Sequence, residues 1–186
     1  MTHPVPKLTI PVSGRDHIVG PANAPVILLE YGDYECPYCG AAYPVVEELR
    51  RTLEDILQFA YRHFPLSQIH PHAQIAAEAA EAAGAQRKFW AMHDALFTHQ
   101  DALDVNHLIL YARAIGLDTE AFSSELAAHV HAARVREDFM SGVRSGVNGT
   151  PTFFINGLRY DGPRDFETMF TVLTRVAEDA RHGAVR

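Results

Sequence analysis

The chain has 186 residues, 47% of them hydrophobic and 21% charged, with a formal net charge of −7 at pH 7. That length suits one domain, or one domain carrying an insertion, with enough apolar residues for a sizeable core. The acidic balance argues against nucleic acid or an anionic membrane surface as partner, and no apolar run approaches the ~20 residues that membrane insertion as a helix needs.

The start, Met1-Thr2-His3-Pro4-Val5-Pro6-Lys7, contains no apolar h-region, so no signal peptide is visible. The expected location is the cytoplasm, or the periplasm or extracellular space if a leader has been removed. Lys7 to Val12 alternates weakly and predicts a first strand. Gly14 to Pro25 is turn-rich, broken by Gly20-Pro21 and Asn23-Ala24-Pro25. Val26 to Leu29 reads as a strand buried on both faces. Ala42, Val45, Val46, Leu49 and Leu53 recur at helical spacing, and Ile56 to Phe64 reads as the next strand. Pro44 falls inside that helix and predicts a kink near Gly40.

From Ser67 to Val147 the pattern is helical. His72 to Ala83 is rich in alanine, the best helix former. A second helix carries Phe89, Met92, Leu96 and Phe97, and a third Leu108, Tyr111, Ala112 and Ile115. A fourth starts at Asp118 as N-cap, and a fifth has Val135, Phe139 and Val143 on one face. Thr152 to Asn156 then reads as a strand, with Asn156-Gly157 as a hairpin turn into Leu158 to Asp161. Pro163 suits the first position of a last helix, with Phe166, Phe170, Leu173 and Val176 facing inward. If the strands share one sheet, the helical block interrupts a sheet-forming core. The expected domains are a core of residues 1–66 and 147–186 with an insert of residues 67–146.

The chain's only two cysteines stand in Cys36-Pro37-Tyr38-Cys39, between a predicted strand and a predicted helix. A cysteine at a helix N-terminus meets unpaired N–H groups and the positive end of the dipole, which favour the reactive thiolate. The pair therefore points to thiol–disulfide exchange. Cys36 is the expected attacking sulfur and the more exposed of the two, and Cys39 resolves the mixed disulfide from one turn below. Pro37 suits the first turn, and Tyr38 is expected to face solvent and touch substrate. Half a zinc site is the rival reading, with His70 and His72 or His129 and His131 completing it. An inert disulfide is another, although so short a loop restrains the unfolded chain little.

Glu30, at a strand end, is either a partly buried acid with a raised pKa, able to exchange a proton with Cys39 through water, or a solvent-facing residue. Thr150-Pro151 sits just before a strand, where proline is ordinary. No phosphate loop or nicotinamide fingerprint is present, so no cofactor is expected.

Taken together, these segments resemble the thioredoxin superfamily, and most closely its bacterial DsbA-like branch. The run Glu30-Tyr31-Gly32-Asp33-Tyr34-Glu35-Cys36-Pro37-Tyr38-Cys39 is similar to that branch's strand and active-site helix start. Pro44 matches the kink proline. Phe64-Pro65-Leu66 and Lys88-Phe89-Trp90-Ala91-Met92-His93-Asp94 resemble the inserted domain, and Gly149-Thr150-Pro151-Thr152-Phe153 resembles the cis-proline loop. The resemblance implies a thioredoxin fold, a central β-sheet flanked by helices, with an all-helical insert. It implies a protein thiol:disulfide oxidoreductase that forms, reduces or isomerises disulfides. Protein or peptide thiols and disulfides, and a separate redox partner, are its implied partners. Glu30 falls on the family's buried acid, Pro151 is expected to be cis and to pack against the cysteine pair, and Thr150 to offer its main chain to an extended substrate. The Pro-Tyr dipeptide is typical of glutaredoxins, so a glutathione-dependent oxidoreductase is the alternative. A non-enzymatic redox-sensing or metal-binding module is the third reading.

Overall fold

A computed structural model describes residues 6–183. The expectations placed on Met1 to Val5, and on residues 184–186 as part of the core, lie outside the described residues. The fold is mixed α/β, the class read from the sequence. Five strands form one sheet: β1 (His17–Val19), β2 (Val26–Gly32), β3 (Leu57–His63), β4 (Thr152–Ile155) and β5 (Leu158–Tyr160), in the order β1-β3-β2-β4-β5. The helices are α1 (Pro37–Thr52), α2 (Ala73–Ala85), α3 (Phe89–Thr98), α4 (Val105–Ala114), α5 (Thr119–Ala127), α6 (Ala132–Arg144) and α7 (Phe166–Gly183).

The described residues divide into two compact units. One holds the chain up to Tyr31, Ala41–Arg62 and everything from Ser141 onward. The other joins Gly32–Gly40 to His63–Met140. The first is built on the sheet. Val26, Leu28 and Leu29 of β2 and Phe59, Ala60 and Tyr61 of β3 are buried, which explains their near-continuous apolar runs. β4 pairs antiparallel with β2, setting Glu30 opposite Phe153 and Tyr31 opposite Thr152. It also pairs with β5 across a two-residue turn in which Asn156 and Gly157 both take positive φ, 47° and 81°. That conformation is the reason for the Asn-Gly pair.

The helical unit is organised on α2. Nine of its residues are buried, so the helix is covered almost all round. Small alanine side chains let α3 and α5 pack closely on it. Phe89, Met92, Leu96 and Phe97 of α3 are buried, as is Phe122 of α5. Asp118 caps α5, accepting from Glu120 N and Ala121 N at 3.0 Å each.

Five local expectations need correction. Lys7 to Val12 is no strand: Lys7 makes only an isolated bridge to Leu158. The edge strand is instead His17–Val19, inside the segment read as turns. It pairs antiparallel with β3 and is only half-buried, so it carries little apolar signal. The last helix begins at Phe166 rather than Pro163, because Asp165 accepts from Thr168 N at 2.9 Å and its carbonyl from Met169 N. Its buried residues are Met169, Leu173 and Ala177, while Phe166, Phe170 and Val176 are half-buried. On α6 Val143 is exposed, while Val135 is buried and Phe139 stacks on Phe64; Asp138 and Ser141 are buried as well, so polar groups share the anchoring of that helix with the apolar ones.

Arg62 is likewise held by polar partners. Its side chain is fully buried in the sheet unit. Nε meets Asp16 Oδ1 at 2.7 Å and Nη2 meets Oδ2 at 3.0 Å, while Ile10 O, Pro11 O and Tyr31 Oη accept the remaining protons. Burial works against the charge, but the bonds to Asp16 and Tyr31 win and hold its pKa above the ordinary arginine value. A fully paired guanidinium is the form in which arginine tolerates burial.

Candidate active site

Pro37 is the first residue of α1, where a missing N–H is harmless and a fixed φ suits the helix. Cys36 therefore stands just before the helix, with its carbonyl accepting from Gly40 N at 3.0 Å and its N–H donating to Asp33 O at 3.1 Å. Cys39 lies in the first turn. Both residues are thiols. Cys36 is the more exposed of the two, but only at 3% against 0% for Cys39, so both are buried. Tyr38, between them, is 72% exposed.

The loop before Cys36 is tied down by groups that sequence reasoning did not single out. The Asp33 carboxylate is fully buried. Oδ1 accepts from Glu35 N at 2.9 Å; Oδ2 accepts from Leu66 N at 2.8 Å and meets His70 Nδ1 at 2.8 Å. The Asp33 N–H points to Cys39 Sγ at 3.5 Å. Glu35 holds His72 in the same way, through the His72 N–H at 2.6 Å and Nδ1 at 2.9 Å. Gln100, just beyond α3, donates from Nε2 to Tyr34 O at 2.8 Å and to Cys36 O at 2.9 Å. Tyr34 is buried against Phe97, and its hydroxyl meets His93 Nδ1 at 3.0 Å. Asp33 and Glu35 carried a readable hint, since short acids before a helix close local turns. Gln100 carried none, because its partners are 64 and 66 residues away.

Cys36, Pro37, Tyr38 and Cys39 thus share one helix start in the helical unit. Glu30, Thr150 and Pro151 belong to the sheet unit. Glu30 is buried on β2, in register with Phe153, which follows Pro151 by two positions. The Thr150–Pro151 peptide is cis, and Pro151 is buried.

The four histidines of the zinc reading each face a carboxylate: His70 faces Asp33, His72 Glu35, His129 Glu78 and His131 Glu125. Among the described residues, His63, Glu81 and Asp138 form the one group of convergent ligand atoms, and neither cysteine joins it. His63 Nε2 meets Glu81 at 2.9 Å, and Arg134 reaches Asp138 at 2.6 Å, so a protein cation already serves these acids. Burial pushes the Asp138 carboxyl up from its ordinary value, although His63 and Arg134 pull it down. The same unit has a groove of about 660 Å³, lined by Pro65, Leu66, Ile69, Ala132, Val135 and Phe139 among others.

Comparison with known proteins agrees with this architecture. A family model described as Thioredoxin matches residues 12–175. The thioredoxin-like oxidoreductase of Silicibacter pomeroyi DSS-3 superimposes with a TM-score of 0.78 at 26% identity, covering 89% of this chain and 94% of that one. The α-DsbA1 of Wolbachia pipientis gives a TM-score of 0.82 at 20% identity, over 95% and 98% of the two chains, and so shares the fold. Among curated relatives, the Na(+)/H(+) antiporter NhaA 1 of Salinispora arenicola (strain CNS-205) is 48% identical over 168 residues. That stretch is 90% of this chain and 26% of the relative. The chain thus spans about a quarter of the length of such relatives. The match over nearly all its length and the shared DsbA-like fold place the chain in the thioredoxin family.

Proposed function

We propose that this chain is a thiol–disulfide oxidoreductase that exchanges disulfides with protein or peptide substrates through Cys36 and Cys39. The observation that carries the reading is the placement of both thiols at the start of α1, with Cys36 at the cap. There the helix end favours thiolate over thiol. Cys36 retains 3% exposure and Cys39 none, so Cys36 is the sulfur an incoming disulfide meets.

In the reducing direction the Cys36 thiolate attacks a substrate disulfide. A Cys36–substrate S–S bond forms, and the first substrate sulfur leaves with an electron pair and takes a proton from water. Cys39, once deprotonated, attacks Cys36. The Cys36–Cys39 bond forms as the Cys36–substrate bond breaks, and the second substrate sulfur leaves as a thiol. Two electrons have passed to the substrate. The reverse sequence oxidises a dithiol. Glu30 is assigned the part of the buried acid, Pro37 and the exposed Tyr38 that of substrate contacts, and Thr150 with Pro151 that of main-chain docking for an extended segment.

The antiport named for the NhaA relatives concerns whole proteins. No helix among the described residues here is long and apolar enough to cross a membrane, and antiport is not assigned to this chain.

Insulin reduction by wild type and by single cysteine variants tests the reading. Cys36→Ser is expected to lose turnover, and Cys39→Ser to accumulate mixed disulfides with a cysteine peptide. Full turnover by Cys36→Ser would refute it. Turnover that requires glutathione and survives Cys39→Ser would favour the glutaredoxin-like alternative raised by Pro37-Tyr38.

A further inference from the structure

Asp33 meets both cysteines through its main chain. Its carbonyl accepts from Cys36 N at 3.1 Å, and its N–H reaches Cys39 Sγ at 3.5 Å. Its side chain has no exposure to water, a costly place for a carboxylate unless donors surround it. Here three do: Glu35 N, Leu66 N and His70 Nδ1. Those bonds hold the Asp33 side chain, and so the residue whose N–H is aimed at Cys39. His70, at 15% exposure, closes the arrangement from the segment after β3.

Building on the exchange reading above, we propose that Asp33 is a positioning residue for the resolving sulfur. It is held by His70 and Leu66 so that its N–H stabilises negative charge on Cys39 as that sulfur attacks Cys36. The bond matters most when Cys39 is a thiolate, because a hydrogen bond to an ionised acceptor is roughly twice as strong as one to a neutral one. The step it serves is the second exchange. The Cys36–Cys39 bond forms, the Cys36–substrate bond breaks, and the electron pair leaves on the substrate sulfur, which takes a proton from water. The Glu35 carboxylate bonds to His72 rather than to Cys39 or Asp33 Oδ2.

Two readouts test the proposal, and the first, which reads the stability of the Cys39 thiolate itself, is the one that separates it from a merely structural role. The first is the titration of Cys39, followed by its Cβ carbon-13 shift in a Cys36→Ser background. Asp33→Ala is expected to raise the midpoint by about one pH unit, the tenfold that one charge-assisted bond is worth. Asp33→Asn, which keeps an acceptor, is expected to move it less. The second is the lifetime of a Cys36 mixed disulfide with a cysteine peptide in the two-cysteine protein. Asp33→Ala is expected to lengthen it about three- to fourfold, since the tenfold loss of thiolate is partly offset by its greater nucleophilicity. Should Asp33→Ala not fold, His70→Ala carries the same prediction with a smaller shift. An unchanged midpoint and lifetime in the folded variant overturn the proposal. A wild-type protein that never forms the mixed disulfide overturns the exchange reading instead, and the titration still decides the role of Asp33.

Discussion

Gln100 fills the space that a side chain at Gly40 would need: a Cβ built there collides with the Gln100 amide. From that position Gln100 donates to the carbonyls of Tyr34 and Cys36, so the bare glycine and the two hydrogen bonds are one device. The colliding atoms are the end of a flexible side chain, which will swing away and lose its bonds. Gly40→Ala and Gln100→Ala should therefore each cost about 1–3 kcal/mol, the worth of two neutral hydrogen bonds. In the double variant the alanine at 40 no longer collides, and its helix preference should return about 1 kcal/mol relative to Gln100→Ala alone. A double-mutant cycle by urea unfolding reads this; additive costs would contradict it.

Arg62 and Asp16 form a fork-to-fork ion pair with no exposed atoms on either side chain. Asp16→Ala leaves a buried guanidinium with only neutral acceptors. The expected loss is about 3–5 kcal/mol, the range for breaking one side of a buried pair. At roughly 2–4 °C per kcal/mol for a chain of this size, calorimetry would show a fall of about 6–20 °C. A fall under 2 °C would mean that water or another acid takes over.

Asp138 predicts a dependence on pH. Burial raises its pKa above the ordinary 3.8, against His63 and Arg134, with Glu81 adding to the rise. The folded chain therefore holds this proton more tightly than the unfolded chain. The stabilising contribution is complete below about pH 3.8 and is lost as pH climbs through the raised value. Asp138→Asn removes that loss. Its stability relative to wild type should rise with pH across the window and level off above it, as followed by urea midpoints. A difference constant with pH would count against the assignment.

Asn156 joins the β4–β5 turn to the start of β2, accepting from Ile27 N at 2.7 Å and donating to Pro25 O at 3.1 Å. It also sits at φ 47°, a conformation asparagine tolerates better than most residues. Asn156→Ala should cost about 2 kcal/mol or more from the lost bonds and the strain together. Asn156→Gly, which relieves the strain but not the lost bonds, should cost less. Equal losses would show that the turn conformation contributes nothing.

The parts legible in the sequence share one property: their signal is local. The apolar run of β2, the Asn156-Gly157 turn and the Asp118 cap each declare themselves within a few residues. The Cys36–Cys39 spacing at a helix start after a strand is local in the same way. What stayed hidden depends on partners distant in the chain. Arg62 is a buried charge within β3, and its partner Asp16 lies 46 residues earlier. Val143 fits a helical stripe with Val135 and Phe139, yet it is exposed, and Asp138 and Ser141 are buried on α6 instead. Asp138 receives the His63 N–H and Ser141 bonds to the Tyr31 hydroxyl. His17–Val19 is a strand only because β3 offers it an edge.

The loop around Cys36 is secured by Leu66, His70 and Gln100, which follow their partners by 33 to 66 residues. On a ribosome, at about 5–20 residues per second, the span of 64 residues from Cys36 to Gln100 takes roughly 3–13 s to emerge. Throughout that interval both cysteines are on a nascent chain that lacks Gln100, which later holds the loop before them. The Cys36 loop thus takes its final form only after the first helices that follow β3 have been made.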